Sequence, residues 1–272
     1  MNERVVVVNA GKMNYDHLLD FSVLSNDVQV YDDSTNAELI ERIQGASVVV
    51  TKELPVGAEL LSQFPESVKL IVEAGTGYNN IDLDAARAKG ITVCNIPAYS
   101  TERVAHTAIM MILNFASTMQ QQIGMLARGD RSNFTKHLQV PHTEVNGKTL
   151  GVIGAGHIGM AVVKVARALD MNILIHTRTT KEDSDGIRYV SLDELLAQSD
   201  YISLHCPLND KTKHLINKDT IAKMKSNAVI INTGRGGLIK ESDLCEALAA
   251  KRIHGAGLDV QEVEPPAEDS PL

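Results

Sequence analysis

Two doubly wound α/β units, each with a parallel sheet, are what this sequence predicts, and three observations predict them. Short β-branched and apolar runs alternate with helical stretches from the start of the chain to about residue 98, the rhythm of a parallel sheet covered on both faces. A second series of the same kind begins at Leu150. Between them, Thr101 to Arg128 is apolar and rich in Ala, Met, Ile and Leu, with no strand pattern. With 272 residues the chain is long enough for two cores, divided as 1–98 and 99–272.

In the first unit Val5 to Val8, Val28 to Tyr31, Ser47 to Thr51, Lys69 to Val72 and Thr92 to Asn95 read as strands. Thr35 to Ile43 and Leu83 to Lys89 read as helices, the second stopped by Gly90. The stretch from Thr101 reads as one long helix joining the units, with Ser100 or Thr101 as its cap. Its methionines, Met110, Met111, Met119 and Met125, suit a core or a dimer contact. The second unit should hold strands at Leu150 to Ile153, Asn172 to Thr177, Tyr201 to His205, Val229 to Asn232 and Gly255 to Val260, with a helix over Met160 to Leu169. The acidic, proline-rich stretch Glu262 to Leu272 reads as loop.

Bulk properties exclude whole classes of partner. The formal charge is −8, from 34 acidic and 26 basic residues with no basic run, which argues against nucleic acid or an anionic membrane. The cysteines Cys94, Cys206 and Cys245 form no C-x-x-C pair and read as reduced, buried side chains. Neither a charged-then-apolar leader nor a membrane-length apolar run is seen, so a cytoplasmic protein is expected.

The most informative stretch is Leu150 to Gly159, a buried-strand pattern running into Gly154-Ala155-Gly156-His157-Ile158-Gly159 and then an apolar-periodic helix. Gly154 permits the tight turn, Gly156 lets backbone approach phosphates, and Gly159 lets helix and strand pack closely. The helix N-terminus supplies N–H groups and partial positive charge to a pyrophosphate. A nicotinamide dinucleotide is the group this order of elements suits. Three more segments join it: Ala74 to Asp82, whose glycines let N–H groups converge on a small anion; Ile231 to Gly237, where Arg235 emerges at a strand's carboxyl end; and Gly257 to Pro266.

On these segments the chain resembles the D-2-hydroxyacid dehydrogenase family, over almost its whole length. Glu73 to Val104 is similar to the glycerate dehydrogenase and hydroxypyruvate reductase branch, and Asn232 to Pro266 to the family's most specific signature. The resemblance implies a flavodoxin-like substrate domain and a Rossmann cofactor domain, and hydride transfer between NAD(P)H and C2 of a small 2-oxo or 2-hydroxy acid. It places the catalytic arginine on Arg235, which would bind the substrate carboxylate and polarise its carbonyl. The catalytic carboxylate falls on Glu264, partner of a histidine acid/base, leaving Glu262 as a solvated loop charge. Thr76 and Gly77 match the carboxylate-binding loop, and Asp259 the nicotinamide amide's partner. Thr101, Gly154, Gly156, His157, Ile158, Gly159, Thr177, Arg178, Cys206, Pro207, Thr212, Thr233 and Gly234 fall at cofactor-binding positions. For Arg235 the competing reading is a surface ion pair, and for Asp259 a strand-end cap.

The family's histidine lies in a Pro-His segment beyond the Glu-Pro motif, and the sequence reaches Leu272 without it. The acid/base and a covering last helix are thus expected to be absent from this chain, by truncation or as a natural fragment. Of the nine histidines, His205 resembles a wall of the adenosine side, His106 stands on the long helix where the family carries Glu or Gln, and His157 sits in the phosphate turn. At the end of the second cofactor-domain strand an NAD enzyme places a carboxylate on the ribose. Here Thr177, Arg178, Thr179, Thr180 and Lys181 stand instead, softened by Glu182 and Asp183, so NADP(H) is expected over NAD(H). The resulting expectation is a homodimeric reductase of hydroxypyruvate or glyoxylate, to D-glycerate or glycolate. The alternatives are a nucleotide-binding remnant or a corepressor-like binding module without turnover.

Overall fold

The computed structural model describes residues 3–179, 181–183 and 185–272. The chain forms two compact units, Met1–Tyr99 and Ser100–Leu272. The first holds a five-stranded sheet of β1 (Arg4–Val7), β2 (Asp27–Val30), β3 (Val48–Thr51), β4 (Leu70–Glu73) and β5 (Thr92–Asn95), all parallel, in the order β2-β1-β3-β4-β5. That 2-1-3-4-5 order is the flavodoxin-like winding, with its switch point between β1 and β3. Val6, Val8, Leu39, Ile43, Leu61 and Ile71 pack one face, and Val5, Val7 and Val50 the other. The helix Asn36–Arg42 starts where Thr35 accepts from the Glu38 N–H while the Glu38 carboxylate accepts from the Thr35 N–H, a capping box.

The second unit's sheet has six parallel strands: β6 (Thr149–Ile153), β7 (Asn172–His176), β8 (Ile187–Tyr189), β9 (Tyr201–Leu204), β10 (Val229–Asn232) and β11 (Gly255–Leu258). Its order, β11-β10-β9-β6-β7-β8, is the 3-2-1-4-5-6 Rossmann winding, whose switch point lies between β6 and β9. Every residue of β9 and β10 is buried, as strands sandwiched between helix layers require. Sequence patterning did not single out β8, which pairs with β7 at the sheet's edge through only three residues.

The long helix departs from expectation. It runs Thr101–Ser117, breaks at Thr118, and resumes as Met119–Ala127. Thr118 adopts φ +49°, the left-handed region, and its buried hydroxyl donates to the Pro141 carbonyl at 2.7 Å. That anchoring across the chain overrides the continuous apolar composition. Ser100 is the N-cap residue but its side chain makes no capping bond, and neither does that of Thr101. Ala105, Ala108, Ile112 and Ala116 pack against Val162, Val163 and Ala166. Of the four methionines on these two helices only Met125 is buried; Met110 and Met119 are exposed. The cysteines also differ: Cys94 is exposed, on the edge strand β5, and Cys206 and Cys245 are half-buried, all as free thiols. Among the described residues no helix is long and apolar enough to cross a membrane.

Candidate active site

In the second unit the expected site residues gather at the carboxyl edge of the sheet. Gly154 follows β6, Thr177 follows β7, His205 to Pro207 follow β9, Thr233 to Arg235 follow β10 and Asp259 follows β11. Gly154 has φ +103°, which a side chain resists, and a Cβ there would lie 2.6 Å from the Cys206 nitrogen. A Cβ on Gly159 would overlap the Gly154 carbonyl oxygen, so this glycine is what lets the helix His157–Ala168 close on β6. Gly156 is different: it is exposed and nothing lies within 4 Å of the same position. Among the described residues the backbone N–H groups of Gly156, His157 and Ile158 meet no protein acceptor. Open backbone, free donors and a helix N-terminus together are what a phosphate cradle requires.

Two buried hydroxyls in this unit, Thr101 Oγ1 and Thr233 Oγ1, have no hydrogen-bond partner among the described residues. A buried polar atom left unpaired costs free energy, and both residues stand at expected cofactor positions, so a polar ligand group fits the vacancy in their bonding. Thr212 plays another part. Its hydroxyl donates to the Pro207 carbonyl at 2.6 Å and accepts from the Asn209 N–H at 2.9 Å, folding the turn that presents Cys206 and Pro207. Burial pushes the Cys206 thiol up to about 11, which leaves no thiolate at neutral pH. Thr177 is half-buried, while Arg178, Thr179, Lys181, Glu182 and Asp183 are exposed; Thr180 lies outside the described residues. The Asp183 carboxylate accepts from the Tyr189 N–H at 2.8 Å.

His205 is neutral at pH 7. Burial pushes its pKa down to about 4, and its Nε2 lies 2.8 Å from Ser203 Oγ. As pH falls below the ordinary 6.5, the unfolded chain binds a proton that the folded chain refuses until about 4, so stability is lost across that window. His205→Gln is expected to flatten this acid limb, recovering on the order of 3 kcal/mol at pH 4 relative to pH 7. Urea midpoints at both pH values measure it; an unchanged acid slope would assign the loss elsewhere.

Arg235 stands half-buried with an extended backbone, between Gly234 and the buried Gly236. Asn232, buried at the end of β10, shapes this turn by donating to the Arg235 carbonyl at 2.9 Å and accepting from the Gly234 N–H at 3.1 Å. The guanidinium donates to the Gly234 carbonyl at 2.9 Å. In the following loop Glu264 is exposed and accepts from the Gln261 N–H at 2.9 Å. Glu262 is exposed, as expected of a loop charge, but it is also paired. Its carboxylate lies 2.6 Å from His214 Nε2 and accepts from the Glu241 N–H at 2.9 Å, which ties the loop to its neighbours. Among the described residues no histidine pairs with Glu264. His106 lines a cleft of about 1110 Å³ with Met110, Phe115, His142 and Leu258 that includes no residue of the Gly154–Gly159 turn.

In the first unit Ala74 to Asp82 follows β4. Ile96 donates its N–H to the Gly75 carbonyl at 3.0 Å, and the Asn95 side chain donates to the Thr76 carbonyl at 2.7 Å. The Thr76 hydroxyl donates to the Ile96 carbonyl at 3.2 Å. With its carbonyls tied down, the loop leaves the Thr76 and Gly77 N–H groups without an acceptor among the described residues. Glu73, fully buried, accepts from the Glu53 N–H at 3.0 Å and from the Asn80 side chain at 2.9 Å. Sequence reading passed over Asn9, Lys52 and Glu73, although each is polar and directly follows or ends an apolar strand, which is signal enough to find them.

The sequence profile of the D-isomer specific 2-hydroxyacid dehydrogenase NAD-binding domain matches residues 109–272. The chain belongs to the D-isomer specific 2-hydroxyacid dehydrogenases. This dehydrogenase is 39% identical over 239 residues to the hydroxypyruvate reductase of Blautia hydrogenotrophica, across 86% of this chain and 74% of that protein. A glyoxylate reductase from Paecilomyes thermophila matches its structure with a TM-score of 0.85 and 33% identity, over 98% of this chain and 84% of that one. The D-lactate dehydrogenase of Aquifex aeolicus, determined with NAD and lactic acid, matches with a TM-score of 0.87 and 31% identity, over 98% and 82%. The dehydrogenase is thus an oxidoreductase with a nicotinamide-dinucleotide domain over its second unit.

Proposed function

We propose that this dehydrogenase reduces hydroxypyruvate or glyoxylate, to D-glycerate or glycolate, with NADPH preferred to NADH. The observation that carries the reading is Arg235, half-buried between glycines at the carboxyl end of β10 in the same unit as the phosphate cradle. When bound, the reduced nicotinamide supplies the hydride that adds to C2. Arg235 holds the substrate carboxylate and draws charge toward the carbonyl oxygen through charge-assisted hydrogen bonds. In the first unit the Thr76 and Gly77 N–H groups are donors suited to a small anion such as a carboxylate. Asp259, exposed at the end of β11, takes the amide of the nicotinamide, and Glu264 stands where a carboxylate would orient a histidine acid/base, although no histidine pairs with it among the described residues. The reading is tested by following nicotinamide absorbance with each oxo acid: hydroxypyruvate and glyoxylate should both oxidise NADPH. Failure of every small 2-oxo acid to do so with either nicotinamide would overturn it.

Support for NADPH is the hydroxyl of Thr177 with Arg178 and Lys181 where an NAD enzyme carries a carboxylate. Fluorescence titration should show tighter binding of NADPH than of NADH, with Arg178→Ala weakening NADPH by about tenfold, the worth of one charge-assisted contact. Equal affinities would remove the assignment. A homodimer is supported by the exposed apolar side chains of Met110, Leu113, Met119, Ile123 and Leu126 along the two helices. Half-buried free thiols at Cys206 and Cys245 support a reducing, cytoplasmic setting.

A further inference from the structure

Lys52 follows β3 directly, at the switch point between β1 and β3 where an open α/β sheet forms its crevice. Its backbone is clamped by the buried side chain of Asn9, which accepts from the Lys52 N–H at 2.9 Å and donates to the Lys52 carbonyl at 2.6 Å. The ammonium lies over the first glycine of the Thr76 loop: a Cβ on Gly75 would be 2.9 Å from Lys52 Nζ. Only 17% of the side chain is exposed. Nζ lies 3.2 Å from a Glu53 carboxylate oxygen and donates to the Tyr99 hydroxyl at 3.4 Å. Glu53 itself is held at φ +57°, a left-handed conformation unusual for a side-chain residue, by its N–H bond to buried Glu73. Burial alone would lower the Lys52 pKa, but Glu53 and Tyr99 more than offset it and the net shift is upward.

An ammonium has three donors, and Glu53 and Tyr99 engage two. Among the described residues the third meets no acceptor and is open to a ligand beside the loop. Because Glu53 already balances the charge, the pair offers a hydrogen-bond donor with little net positive charge, which matches a neutral oxygen better than a second anion. A carboxylate already has donors beside Lys52 in the Thr76 and Gly77 N–H groups. We propose that Lys52 is a specificity-determining residue that donates to an oxygen on C3 of the substrate, favouring 3-hydroxy-2-oxo acids over oxo acids that lack it. The inference rests on the reductase reading above and deepens it.

The test compares Lys52→Met, which keeps the stem, with the unsubstituted protein on two oxo acids. Loss of a hydrogen bond to a charged donor should lower kcat/KM for hydroxypyruvate by about 10- to 100-fold, while glyoxylate, which has no C3, falls less than roughly threefold. A parallel loss on both, or no loss on either, would overturn the assignment. Calorimetric binding of D-glycerate and glycolate with the oxidised cofactor gives a readout without turnover. The unsubstituted protein should bind D-glycerate more tightly, a preference lost in Lys52→Met and in Lys52→Gln. If it binds the two equally, Lys52 is not the discriminator even though reduction proceeds; if neither oxo acid is reduced but the D-glycerate preference holds, the reductase reading fails alone.

Discussion

Arg235→Lys is expected to lower kcat/KM for hydroxypyruvate by about 10²–10³-fold, the usual cost of removing a preorganised donor from a developing oxyanion. Lysine keeps the charge but not the planar fork. A guanidinium meets a carboxylate with two parallel N–H bonds, whereas an ammonium is a point charge on a flexible stem. The turn itself should survive, because Asn232 bonds to the Arg235 carbonyl and the Gly234 N–H, neither of which the substitution alters. Cofactor affinity, measured by fluorescence, should therefore change little. Near-normal turnover in Arg235→Lys would remove this residue from the site.

Gly236→Ala carries the second large effect. A Cβ there would overlap the Gln261 carbonyl group and sit 2.5 Å from the Glu262 nitrogen. Those are backbone atoms and cannot rotate away, so either the Arg235 turn or the segment from Gln261 to Glu264 must move. Gly236 is not among the residues of positive φ, so close approach alone excludes the side chain. Overpacking of this kind costs about 1–3 kcal/mol, and a displacement of about 1 Å at a reacting centre can cost about 10²-fold in rate. Thermal melts and steady-state kinetics on one preparation should show both effects. A variant with unchanged stability and turnover would mean that the loop tolerates the shift and that Glu264 has no fixed relation to the Arg235 turn.

Much of the architecture was legible from local pattern. Val229 to Asn232 and Thr92 to Asn95 form the strands expected of them, because a short β-branched run bounded by breakers has few other options. The glycine turn was legible as a motif, although only the demand on Gly159 arises nearby; the backbone that excludes a side chain at Gly154 belongs to His205 and Cys206, and Gly156 meets no neighbour at all. The long helix was misread because its break depends on Thr118 reaching Pro141, which lies 23 residues away in sequence. The pairing of Glu262 was not legible because its partners, His214 and Glu241, lie 48 and 21 residues away. Cys94 read as buried because sequence does not say that β5 is an edge strand.

By itself the sequence determined the two α/β units, the glycine turn ahead of the helix His157–Ala168, the position of Arg235 at a strand end and the family. All of these follow from periodicity, glycine placement and contiguous motifs. Only the tertiary structure decided the order of strands in each sheet, the pairing of Glu262 with His214, the neutral state of His205 and the placing of the Lys52 ammonium over Gly75. These depend on which distant segments come together and on how much water is excluded when they do. Charge state and hydrogen-bond partnership are properties of that enclosure, which no local run of residues specifies.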